Sequence, residues 1–133
     1  MDADRHEGAP PAQDEELVLP SVPQSVSQVR RYAVASCTAL GFDGDCDTLA
    51  LLVSEVATNA LIHGVGQVRV RALAAGPRMR IEVSDDSVIL PVPRQAAADA
   101  EGGRGLALID ALAADWGVEA RDTGKTVWFE LGG

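Results

Sequence analysis

The chain has 133 residues, 47% of them hydrophobic and 23% charged, which suits one domain with a packed core and excludes two independent cores or wholesale disorder. With 20 acids against 11 bases the net charge is −9, the wrong sign for neutralising the phosphates of DNA or RNA. No direct nucleic-acid partner is expected.

Residues 1–16 hold Asp2, Asp4, Glu7, Asp14, Glu15 and Glu16 against the single base Arg5, and they include Pro10 and Pro11. That is the composition of a solvated arm, so residues 1–14 are expected to be disordered and residues 15–133 to form the domain. The arm has neither the basic start nor the apolar run of a secretory signal. No later stretch approaches the roughly 18 apolar residues that cross a bilayer. A cytoplasmic location without membrane contact is expected. Cys37 and Cys46 are too few for a disulfide framework or a metal cluster and read as reduced thiols.

After the arm, Glu16–Pro20 is a short apolar run closed by proline, as an edge strand would be. From Ser21 to Leu40, Val22, Val26, Val29, Ala33, Val34, Cys37 and Leu40 recur at helical spacing. Ser21 is placed to cap this first helix and Gly41 to stop it. A turn over Asp43–Asp47 leads into a second helix, capped by Asp45 or Asp47 and running to His63 before Gly64. Val68, Val70 and Ala72, then Met79, Ile81 and Val83, alternate with polar residues around Ala74–Pro77, which predicts a hairpin with one buried face. Residues 86–102 fit no regular element, and a connection that long is usually functional or mobile. Leu106, Ile109, Leu112 and Ala113 mark a third helix. Trp116–Ala120 and Thr126–Leu131 close the chain as two more strands. The order predicts an α+β two-layer sandwich, a mostly antiparallel mixed sheet with helices on one face.

On the second helix Leu49, Leu52, Val53, Val56 and Ala60 form the stripe that must meet the sheet. Glu55, Asn59 and His63 follow at four-residue steps as a strip beside it, bordered by Leu51 and Ile62. A carboxylate, an amide and an imidazole along an apolar-flanked groove suit a metal ion and phosphates, with Asn59 an oxygen ligand for Mg²⁺ and Glu55 a base. Spacing alone favours the plainer alternative: Glu55 pairs with an arginine or caps, and Asn59 makes a buried backbone hydrogen bond. Gly102–Leu106 precedes the third helix, where glycines let an anion approach free amides, although a flexible linker has the same composition. Asp85-Asp86-Ser87 ends a strand. One carboxylate there could take a hydrogen bond from an exocyclic amine, or simply start a turn.

Taken together, these segments resemble the boxes of the GHKL ATP-binding superfamily, whose ATP site has the Bergerat fold. Ser54–His63 is similar to its N box, Val83–Ser87 to the first glycine box, Gly103–Leu106 to the second and Gly124–Phe129 to the last. Within the superfamily the chain most resembles bacterial anti-sigma-factor serine/threonine kinases of the actinobacterial type. The resemblance implies ATP and Mg²⁺ as cofactors, Asn59 on the metal, Glu55 as catalytic base and Asp85 on the adenine amino group with Thr126 assisting through water. It further implies that His63, Gly103, Arg104, Gly105 and Leu106 line the nucleotide, the glycines within a lid spanning 87–104. The implied partners are a STAS-type anti-sigma-factor antagonist, a sigma factor, or both, with a homodimer among the assemblies. A non-catalytic switch that uses nucleotide to choose a partner is the other reading. The sequence departs from the family pattern at Ser87 and Ile89, which stand where glycines would, so a Cβ enters where backbone runs close to nucleotide.

Overall fold

The computed structural model describes residues 16–62, 66–87 and 101–132, the side chains of Ile62 and of residues 101–106 excepted. The acidic arm, His63, Gly64, Ile89 and most of the expected lid lie outside the described residues.

Among the described residues, five strands and three helices follow one another as β1 (Glu16–Pro20), α1 (Ser25–Ala39), α2 (Cys46–Ile62), β2 (Gln67–Ala75), β3 (Arg78–Asp85), α3 (Glu101–Leu112), β4 (Asp115–Arg121) and β5 (Gly124–Leu131). The strands form one sheet in the order β1-β2-β3-β5-β4, antiparallel at every pairing. The expected α+β sandwich is the fold. Period two decides the faces: Leu19, Val68, Val70, Ala72, Met79, Ile81, Val83, Val127, Phe129 and Leu131 point into the core with residues of all three helices. The opposite face carries ion pairs, among them Arg80 with Glu82 at 2.9 Å and Arg80 with Glu130 at 3.2 Å. There the Arg80 guanidinium also lies 4.1 Å over the Trp128 ring.

The apolar stripe of α2 is where expected, with Leu49, Leu52 and Val53 fully buried and Val56 and Ala60 nearly so. This helix packs against both α1 and α3 while lying on the sheet. The Tyr32 hydroxyl of α1 accepts the Ala72 N–H of β2 at 3.1 Å, tying α1 to the sheet.

The ends of α1 and α2 follow different rules. Ser21 does not cap α1; its hydroxyl donates to the Gly66 carbonyl at 2.9 Å. The helix begins at Ser25 instead, after Gln24, which makes no side-chain cap. Pro23 has no N–H to give, and Pro20 and Pro23 hold the chain in turns closed by Val22 N–H to Pro20 O and Ser25 N–H to Val22 O, both 2.9 Å. Gly41 does stop the helix: at φ +70° it lets its own N–H reach Thr38 O at 3.3 Å and the Phe42 N–H reach Cys37 O at 3.0 Å, the paired bonds of a Schellman ending. At α2, Asp45 is the cap. Its Oδ1 accepts from the amides of Asp47 and Thr48, and its Oδ2 from the Thr48 hydroxyl. These bonds, the Thr48 hydroxyl foremost, hold the Asp45 carboxyl below its usual range. Burial, aided by the neighbouring Cys46, pushes the Cys37 thiol up to about 12, so it stays protonated.

Two outcomes follow. Phe129→Ala, at a fully buried site on β5, should cost about 3–5 kcal/mol in urea unfolding. Asp45 is depressed in the folded state, so its contribution is complete above the unfolded carboxylate pKa and is lost as pH falls through the folded value. The melting-temperature gap between wild type and Asp45→Asn should therefore be widest near neutrality and shrink on acidification; a constant gap would show that the cap acts without its charge.

Candidate functional site

The last turn of α2 and the end of β3 meet at one end of the sheet. Gly66 lies just past α2, so close to Asp86 that a Cβ on it would strike the Asp86 carboxylate, and Asp86 also accepts from Arg69 at 3.1 Å. Asn59, in that last turn, and Asp85, the last residue of β3, therefore belong to the same end. Both are buried, Asn59 at 4% exposure and Asp85 at 1%.

Asn59 makes no hydrogen bond to any described residue. The structural alternative called for a buried backbone bond here, and none is made to a described residue. Glu55 is half-buried one turn earlier and is engaged in an interaction of its own. Leu51, expected to border this strip, is 43% exposed.

Asp85 is held from two sides. Its Oδ1 accepts the Ser87 N–H at 2.8 Å, and its two oxygens take the Lys125 ammonium at 3.0 and 2.8 Å. Lys125 is as buried as its partner. The register of β3 on β5 sets Asp85 opposite Lys125 and Ser84 opposite Thr126. Because successive side chains alternate, Lys125 shares the core-facing side of β5 with Val127 and Phe129, whereas Thr126 shares the other with Trp128 and Glu130. Thr126 therefore turns away from Asp85, and its hydroxyl pairs with Ser84 at 2.7 Å. The residue beside the expected adenine-binding carboxylate is Lys125, which the motif reading missed. The inward run Val127, Phe129, Leu131, extended back two residues, was the signal for it.

Gly124 makes this contact possible. A Cβ there would come within 2.1 Å of the Asp85 carbonyl oxygen, so only glycine lets the start of β5 close onto the end of β3. Ser87, by contrast, fits where a glycine was expected: it is buried, no non-glycine among the described residues has a positive φ, and its amide serves Asp85 as in an Asx turn.

The second glycine segment is not a loop before a helix. The backbone is helical from Glu101, so Gly103 falls in the first turn, where amides lack intrahelical partners, while Gly105 lies past it. Packing explains why glycines are helical here: Ile109 is fully buried in the core and Leu108 packs against it, outweighing a propensity penalty of about 1 kcal/mol per glycine. Among the described residues no group of three or more His, Cys, Asp or Glu gathers to hold a metal, and no helix is long and apolar enough to span a membrane. A pocket of about 140 Å³ lined by Leu40, Phe42, Pro77 and Met79 lies by the β2–β3 turn, at the opposite end of β3 from Asp85, and holds none of these residues.

Residues 19–131 match the histidine kinase-like ATPase domain family, and the chain belongs to it. No curated protein sequence matches significantly. Among solved structures, the blue-light activated histidine kinase EL346 of Erythrobacter litoralis is 30% identical over 68% of this chain and 32% of its own, with a TM-score of 0.51. The present chain thus spans about a third of that protein. The histidine kinase domain of EL346 aligns over 98% of this chain and 68% of its own at 21% identity and a TM-score of 0.52. The catalytic domain of the histidine kinase ThkA, in a nucleotide-free form, covers 89% of this chain and 95% of its own at 13% identity and a TM-score of 0.50. The two latter likenesses are of fold.

The ion pair can be tested without a ligand. Lys125→Met leaves a buried carboxylate uncompensated and should lower stability by about 3–5 kcal/mol in urea unfolding, whereas Asp85→Asn/Lys125→Met, which removes both charges, should recover most of the loss. Equal losses in the two variants would mean that the charges are not what the contact supplies.

Proposed function

We propose that this ATPase-family domain binds ATP with Mg²⁺ between the end of α2 and the end of β3, and transfers the γ-phosphoryl group to a serine or threonine of a small partner protein. The observation that carries this reading is Asn59, a buried polar residue on the N-box helix whose side chain makes no hydrogen bond to any described residue. A single hard oxygen donor fits Mg²⁺, which keeps most of its shell as water and substrate phosphate, better than it fits an all-protein cage. When bound, the ion would screen the phosphate charge. Asp85 would take the adenine amino group, as the superfamily resemblance implies, and the first-turn amides of α3, Gly103 among them, would meet phosphate oxygens.

In the transfer, the partner's hydroxyl oxygen bonds to the γ-phosphorus as the bond to the β–γ bridging oxygen breaks, ADP leaves, and Glu55 accepts the hydroxyl proton. Such chemistry asks a protein mainly for positioning and charge. The resemblance to anti-sigma-factor kinases is what favours a STAS-type antagonist as phosphoacceptor, a sigma factor as the second partner and a homodimer as the working unit.

Calorimetric titration of ATP with and without Mg²⁺ tests the site. In Asn59→Ala the Mg²⁺-dependent part of the affinity should vanish with the fold intact; an equal Mg²⁺ effect in both proteins would make Asn59 structural. Glu55→Gln should retain ATP but lose phosphorylation of the acceptor by about 100-fold or more. A wild type that binds ATP yet phosphorylates no candidate acceptor would favour the non-catalytic switch.

A further inference from the structure

Resting on that assignment of the site to ATP, we propose that Lys125 reads the base together with Asp85: its ammonium donates to adenine N1 while Asp85 accepts from the neighbouring N6 amino group. The ion pair is then a two-point reader of the adenine edge.

Unused bonding capacity is the first support. A lysine ammonium has three N–H donors; Lys125 places them on Asp85 Oδ1 and Oδ2 and on no other described group, so one is spare. Asp85 Oδ1 is shared between Lys125 and the Ser87 amide, whereas Oδ2 receives Lys125 alone. One donor and one acceptor thus lie side by side, 2.8 Å apart. Both belong to side chains only 1 and 2% exposed, where unfilled capacity is expensive. Adenine offers the complement on one edge, an amino N–H next to a ring nitrogen with a free lone pair. The edge is uncharged, so it adds no net charge to a pair that is already neutral.

Selectivity is the second support. In this orientation hypoxanthine or guanine would present a carbonyl oxygen to the Asp85 carboxylate and an N–H to the Lys125 ammonium, two opposed contacts in place of two matched ones. Mismatches in dry surroundings cost most, because water cannot repair them. A lysine that merely occupied the carboxylate would have to be displaced by the base, and the two roles give opposite results on substitution.

The test is calorimetric titration of the full chain, with Mg²⁺, using ATP, 1-deaza-ATP, in which a C–H replaces N1, and ITP. Wild type should bind 1-deaza-ATP about ten-fold more weakly than ATP, the loss of one hydrogen bond to a charged group, and ITP more weakly still. In Lys125→Met, ATP affinity should fall about ten-fold and the difference between ATP and 1-deaza-ATP should close. If that variant does not fold, Asp85→Asn/Lys125→Met should show the same closure. ATP binding without a 1-deaza penalty in wild type, or tighter ATP binding in Lys125→Met, overturns the inference while leaving the ATP site standing. A wild type that binds no ATP overturns the site itself and the inference with it.

Discussion

Two opposite charges face each other in dry surroundings where β3 ends and β5 begins, and the geometry of this end of the molecule is organised around keeping them together. Separating a buried aspartate from its lysine leaves each charge without solvent or partner. The contact therefore penalises any alignment of β5 on β3 except the one observed. Because side chains alternate strictly, a slip of one residue would send Lys125 to the outer face and bring Thr126 inward opposite a bare carboxylate. Gly124 is the steric condition for this register, since any Cβ there meets the Asp85 backbone. β4 pairs only with β5, so its position is inherited from the same contact.

The helix layer supplies the other half of the site by a different route. Helix α2 is covered by α1, α3 and the sheet, and an element enclosed on so many sides needs apolar residues almost throughout. A polar side chain buried in its last turn is an exception that folding alone does not favour. Asn59 is that exception, and it sits where α2 runs out beside the end of β3. Asp85 likewise ends its element. Groups at the ends of rigid elements keep a fixed position while facing the loops, and sites built this way are better defined than sites built on the loops themselves.

Much of this was legible because it depends on periodicity. The hairpin of β2 and β3, the apolar stripe of α2 and the alternation of β5 follow from burial on one face, and burial is what hydrophobic pattern records. What misled was reading residue type ahead of pattern. The motif drew attention to Thr126 and away from its neighbour, although Val127 and Phe129, flanking Trp128, already placed position 125 inward beside Asp85. Glycines at 102, 103 and 105 argued for a loop, yet the apolar positions further along α3 bury enough surface to carry the helix back through them. Ser21 has the chemistry of a cap but is followed by Pro23, so its hydroxyl serves the Gly66 carbonyl instead. Nothing in spacing showed whether Asn59 was bonded within the chain, because hydrogen-bond satisfaction is a property of three-dimensional neighbours.

One departure from the superfamily pattern, Ser87, bears directly on the Asp85 carboxylate. Ser87 stands where a glycine was expected, and a glycine would have left the turn after β3 free to explore positive φ. A serine with ordinary backbone angles narrows that freedom and directs its amide onto Asp85 Oδ1. Lys125 then fixes the remaining orientation from the opposite side, leaving Oδ2 as the less occupied oxygen. A carboxylate clamped by a backbone amide and an ammonium has few rotamers left to lose, so the cost of ordering it is met during folding. The serine amide at 87 and the lysine at 125 thus belong to one arrangement around Asp85.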